Sequence, residues 1–222
     1  MQLTLPKHAG WGGRRKGAGR KPKGPRAGVA HTARSALAPR FPVHVTLRVL
    51  PHVWNLRSRR SFRVLGAALS RGGDRFGMRI CEFSIQGNDL HLVAEAADGQ
   101  ALSRGMQGLS IRIAKGLNGL MNKSGKVLAD RFHRRILRTP TEVKRVLHYV
   151  RNNRGVHRAR WGRPVGRSDA FSSASRQHGI ALPAAHTYLL SLAQRGPLLG
   201  QRGPLLAQPG PLLAQRGPPE TR

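Results

Sequence analysis

The sequence predicts an α+β domain of the ferredoxin-like, split-βαβ type, and three observations carry that expectation. Apolar residues at strand period and at helix period alternate in the order strand, helix, strand, strand, helix, strand, further helix. The two adjacent strands are parted only by Gln86-Gly87-Asn88, a short polar turn that makes an antiparallel hairpin. The middle helix carries a long apolar stripe that needs a sheet to cover it. A four-stranded antiparallel sheet with helices on one face follows, its other face expected to be open to a ligand.

The elements follow in order. Val43, Val45, Leu47 and Val49 alternate with His44, Thr46 and Arg48, the signature of a half-buried strand. After Pro51, the stretch from Ser61 to Ser70 reads as a helix with Phe62, Leu65 and Leu69 on one side. The breaker Arg71-Gly72-Gly73-Asp74 ends it. Met78 to Ile85 alternates again, and Asp89 to Glu95 completes the hairpin. From Ala101 to Met121, Leu102, Met106, Leu109, Ile113, Leu117 and Leu120 recur at steps of three or four. Gly105, Gly108, Gly116 and Gly119 weaken that helix by about 1 kcal/mol each, so close packing must hold it. Gly125 to Arg138 fits a loop and a basic strand. Thr139-Pro140-Thr141-Glu142 is a capping box, with Pro at the first helical position. The helix it opens should run to about Asn153, burying Val143, Val146, Leu147 and Val150.

Outside this domain the composition changes. Residues 1–40 are a basic arm in which Arg14, Arg15, Arg20 and Lys21 stand among Gly and Pro, too charged to bury a core. Gly19-Arg20-Lys21-Pro22 resembles an AT-hook in part, with Lys21 in place of its second Arg. Residues 41–160 form the domain and 161–190 a small extension. The tail, 191–222, repeats Gly-Pro-Leu-Leu with period seven. Interior Pro costs ~3 kcal/mol in a helix, so this period is low complexity and not a coiled coil.

Charge names the class of partner. The chain has 222 residues, 40 Lys+Arg against 9 Asp+Glu, and a net charge of +31. Such a balance calls for a polyanion. No apolar run approaches the ~18 residues of a membrane span, and the start lacks a secretory pattern, so a cytoplasmic, nucleoid-associated protein is expected. Cys81 is alone, which excludes an internal disulfide. Aromatics are only 5%, too few for rows of base-stacking platforms.

Two pairs of residues carry the chemistry. On a strand, Asp89 and His91 share a face, offering two metal-ligating side chains. On a helix, Tyr149 and Asn153 share a stripe one turn apart. Taken with His44-Val45-Thr46-Leu47-Arg48, Gln86 to Val93 and Asp130-Arg131-Phe132, this set resembles the single-tyrosine HUH transposases, in particular their REP-associated tyrosine transposase branch. The resemblance spans roughly residues 41–160, and Asp169 to Ala174 is similar to a segment that follows in that branch.

The resemblance implies a DNA-binding enzyme that cleaves and rejoins hairpin-bearing single-stranded DNA as a monomer or homodimer. Tyr149 would be the nucleophile, forming a 5′-phosphotyrosine. His91, Asp89 and Asn153 would hold Mg²⁺ or Mn²⁺. Arg48, Arg131 and Arg134 are the expected phosphate contacts, and His133 and His148 are candidates for assisting proton transfer. One residue departs from the pattern, because Asp89 stands where the first His of the HUH pair belongs. Asp is a hard oxygen ligand suited to Mg²⁺ or Mn²⁺, but its reach is shorter. The alternative is therefore a DNA-binding protein on the same scaffold that has lost its chemistry. An RNA-binding ferredoxin-like domain would need paired strand aromatics that this chain lacks.

Overall fold

The described residues form nine elements, in the order β1 (Val43–Arg48), α1 (Arg59–Gly72), β2 (Asp74–Arg75), β3 (Met78–Ile85), β4 (Asp89–Ala96), α2 (Gly99–Met121), β5 (His133–Ile136), α3 (Pro140–Arg160) and α4 (Tyr188–Arg195). The computed structural model describes residues 34–72, 74–160, 169–175 and 179–195, with the backbone alone for 156–160. The chain divides into two units, Met1–Ser35 and Ala36–Arg222, and all nine elements belong to the second. Arg14, Arg15, Arg20, Lys21 and the repeat tail lie outside the described residues.

The sheet is antiparallel throughout, with strand order β2-β3-β4-β1-β5. Leaving β2 aside, this is the split-βαβ order that the sequence predicts. The extra strand is short. Phe76 (φ 58°) and Gly77 (φ 71°) both take the left-handed conformation, so Asp74-Arg75 folds back on Met78-Arg79 through a two-residue primed turn. The sequence reading saw only a helix breaker there.

Val43, Val45 and Leu47 of β1, Ile80 and Phe83 of β3 and Leu90, Leu92 and Ala94 of β4 form the main core with Leu65 and Leu69 of α1 and the apolar stripe of α2. Asp98 caps α2, its carboxylate accepting from the Ala101 N–H at 2.7 Å, and Asn122 ends the helix in the left-handed region. Two of its glycines are sites of close approach. A Cβ on Gly105 would lie 2.6 Å from the Met78 side chain, and one on Gly116 would lie 2.5 Å from Val64 Cγ1. The helix therefore packs as closely on α1 as on the sheet.

The opposite face of the sheet is not open, which corrects the sequence expectation. Val143, Leu147 and Val150 of α3 and Leu190 and Ala193 of α4 pack with Cys81, Val93 and Leu137 into a second core. The reason lies in β3 and β4, which bury residues on both faces. A β-bulge between Ile80 and Glu82 turns Cys81 toward the second layer. The capping box forms as read: Thr139 Oγ1 accepts from the Glu142 N–H at 3.2 Å, and Glu142 accepts from the Thr139 N–H at 3.3 Å. Helix α3 then runs through Gly155 to Arg160, well past the expected end.

The segment after α3 returns to the sheet. Ser172 bridges Ser84, the Phe171 carbonyl accepts from Ile85 N–H at 2.8 Å, and Arg57 grips Asp169 at 2.5 and 2.9 Å while lying over the Phe171 ring. Glu95 caps the approach to α4 by accepting from the Thr187 N–H and hydroxyl at 2.8 and 2.7 Å.

Candidate functional site

Register assembles the site. β1 sets Arg48 opposite Asp89, Thr46 opposite His91 and His44 opposite Val93. Directly opposed residues point the same way, so His44, Thr46, Arg48, Asp89 and His91 share the face that α3 partly covers. Arg135 and His133 of β5 oppose His44 and Thr46 and extend that face to the sheet edge.

Tyr149 meets the two imidazoles edge-on. Its ring centroid lies 5.3 Å from His91 and 6.1 Å from His44, while the imidazoles stack on each other at 5.5 Å with 23° between their planes. Thr46 Oγ1 lies 3.2 Å from His91 Nδ1. Burial pushes the His44 imidazole down to about 4, helped by His91 and Arg135, so the ring is neutral near pH 7. Its Nε2 is buried and has no hydrogen-bond partner among the described residues.

Asn153, one turn beyond Tyr149, is fully buried, and neither of its amide atoms has a partner among the described residues. The turn around it is fixed. Arg151 pairs with Glu82, and the Arg151 carbonyl accepts from Ser172 Oγ at 3.2 Å. A buried group left unpartnered costs about 1–3 kcal/mol, so this amide is poised for a partner that the described residues do not supply.

Asp89 is engaged differently. Both its oxygens are taken by Arg48, Nε to Oδ1 at 2.9 Å and Nη2 to Oδ2 at 3.2 Å. The hydrogen bond and charge of Asp89 raise the Arg48 guanidinium above its usual value. Among the described residues, no three His, Cys, Asp or Glu side chains gather to hold a metal ion. The expected trio of Asp89, His91 and Asn153 contains a single carboxylate, and Arg48 engages both its oxygens. His91 and Asn153 keep suitable donors, whereas the carboxylate is already neutralised by a guanidinium.

The remaining expected residues scatter. Arg131 is exposed in the loop before β5, its N–H donating to Asp130 at 2.7 Å. Arg134 opposes Val45, on the other face, and its guanidinium lies beside Gly99 at the start of α2. His133 is exposed on the site's face, and His148 faces Asn152 on α3 at 3.4 Å. Sequence reasoning assigned no role to His44 or Arg135. Only the register of β1 with β4 and β5 brings them in, and period-two alternation alone does not supply it.

No family model matches this sequence, and no curated protein matches it. Among solved structures the chain is similar to a REP-associated tyrosine transposase bound to a REP hairpin. The TM-score is 0.49 and the identity 12%, over 71% of this chain and 93% of the other.

Proposed function

We propose that this protein binds single-stranded DNA on the α3-covered face and cleaves and rejoins it through Tyr149. The observation that carries the reading is the Tyr149 ring of α3 set against His91 and His44, on a sheet face that also carries Arg48 on β1 and His133 and Arg135 on the edge strand β5. In the proposed step the Tyr149 phenolic oxygen attacks a backbone phosphorus, the P–O3′ bond breaks, and a 5′-phosphotyrosine and a free 3′-OH result. Reversal by a 3′-OH restores the phosphodiester and the phenol, so no external energy source is consumed. Exposed guanidiniums would neutralise the phosphate charge as it moves, and the net charge of +31 favours strand capture. A phenol of pKa about 10 needs strong electrostatic help at neutral pH, which makes the state of Asp89 decisive.

That carboxylate favours a second reading. With Asp89 bound to Arg48, the scaffold could bind DNA without cutting it. The test is an end-labelled hairpin oligonucleotide incubated with the protein and Mn²⁺, then run on a denaturing gel. The enzyme reading expects a covalent adduct that Tyr149→Phe removes. Absence of adduct from the wild type, with an adduct from Asp89→His, establishes the non-cleaving reading instead.

A further inference from the structure

From the geometry we infer that Phe76, Arg75 and Arg112 form a binding site for one nucleotide of a single strand, Phe76 stacking on its base and the two guanidiniums holding its phosphate. The site adjoins the layer of α1 and α2, across the sheet from Tyr149, and it stands or falls independently of cleavage at that residue.

Phe76 does not fit its place. It takes φ 58° in the turn between β2 and β3, a conformation that suits Asn or Gly and strains a bulky side chain. Its ring is 56% exposed, so burial does not offset the strain. A strained residue that gains little from the fold points to a ligand.

Arg112 is the second misfit. Its guanidinium lies against Gly72, the last residue of α1, where an added Cβ would meet Nη2 at 2.1 Å. Among the described residues, Nε is buried without a hydrogen-bond partner and the side chain makes no ion pair. Burial and the charge of Arg75 lower the group from its ordinary value. A guanidinium so placed lacks an anion.

The parts meet over Gly108. A Cβ there would lie 3.5 Å from Phe76 Cε2 and 3.5 Å from Arg112 Nη1, so ring and guanidinium stand no more than about 7 Å apart, within reach of a base and its own phosphate. Arg75 lies over the same ring, 5.7 Å from its centroid. The adjoining acid, Asp74, is engaged by Arg79 at 3.2 and 3.3 Å. Neither α1 nor α2 contains an Asp or Glu. Arg71 adjoins Gly72, Arg104 shares the helical stripe of Gly108 and Arg112, and both are exposed. An aromatic face among cations fits a base joined to a phosphate. A paired base is covered by its neighbours in the stack, so the ring selects an unpaired one.

The test uses the full chain carrying Tyr149→Phe, which removes any adduct at that residue. An oligothymidylate with one 5-iodouracil, irradiated with the protein, should cross-link at Phe76 on peptide mapping. Arg112→Met should cut that yield roughly tenfold through loss of a charge-assisted contact to phosphate. Unlabelled oligothymidylate should compete, and thymidine monophosphate at equal nucleotide concentration should not. Without nucleic acid, Arg112→Met and Phe76→Asn should each melt at a higher temperature than the parent, because Met keeps the stem without the charge and Asn accepts the turn. Cross-links that miss Phe76, a yield unchanged by Arg112→Met, equal competition by the mononucleotide, or a lowered melt in either variant overturns the site.

Discussion

Asp89 and Glu82 are both carboxylates paired to arginine, yet removing each should have unequal consequences. The Arg48 side chain is 49% exposed, so its pair with Asp89 is screened and contributes roughly 0–1 kcal/mol. Glu82 is buried, and it accepts from Arg151, Ser173 and Gln194 at once. Glu82→Ala leaves the half-buried Arg151 guanidinium and two further donors without their acceptor and should cost about 1–3 kcal/mol, whereas Asp89→Ala should cost less than ~1. Chemical denaturation of both variants measures the contrast, and equal losses would refute it. The sequence marked Asp89 as the point of departure from the HUH pattern. It could not show that Arg48 answers it, because the partner stands on another strand and only the pairing register brings the two together.

At the scale of the element, α2 and α3 were the most legible, since each carries its own stripe and cap. What α2 did not reveal was which glycines touch something. Gly105→Ala drives a methyl into Met78 and should destabilise the fold by about 1–3 kcal/mol despite Ala's helix propensity. Gly119 has nothing within 4 Å of an added Cβ, so Gly119→Ala should stabilise by up to about 1 kcal/mol. Differential scanning calorimetry should move the two melting temperatures in opposite directions.

The start of α3 yields a pH effect. Glu142 accepts from the Arg138 and Thr139 N–H groups and from Arg135, and these contacts hold its carboxyl below the ordinary range. A depressed folded pKa means the unfolded chain takes up the proton first, so the stabilisation is complete above the unfolded value of about 4.3. It disappears as pH falls through the folded value. Melts of Glu142→Gln and wild type should therefore differ at pH 7 and converge at low pH. A difference that persists undiminished in acid would count against the cap. Besides β2, the sequence left α4 unseen, because its eight residues give too short a pattern to stand out beside a Gly- and Pro-rich tail.

Across the described residues, the sheet is covered on both faces, and residues 169–175 and 179–195 supply part of the second layer. Alternation in β3 and β4 suggested one solvated face because small and polar residues there, Ser84, Glu82 and Glu95, read as exposed while in fact being buried by partners from the C-terminal segment. Arg57 is the clamp for that segment. Arg57→Ala leaves the buried Asp169 carboxylate without its cation and removes the support under Phe171. The expected result is faster amide exchange at residues 169–175 with protection of β1 and β4 retained. Uniform loss of protection would show that the segment and sheet unfold as one.

The strand that carries His44, Thr46 and Arg48 also fixes the order in which the molecule can mature. β1 is the first strand among the described residues, yet its two neighbours are β4 and β5, and the helix that caps its polar face comes later still. A chain emerging from the ribosome would hold β1 with both edges unpaired through the synthesis of the hairpin, and with one edge unpaired until residue 136 is out. Tyr149 and Asn153 arrive after that. The growing polypeptide thus lacks both residues until the supporting sheet is complete, and a product cut short before α3 would present the polar face of β1 without the ring that packs on its imidazoles.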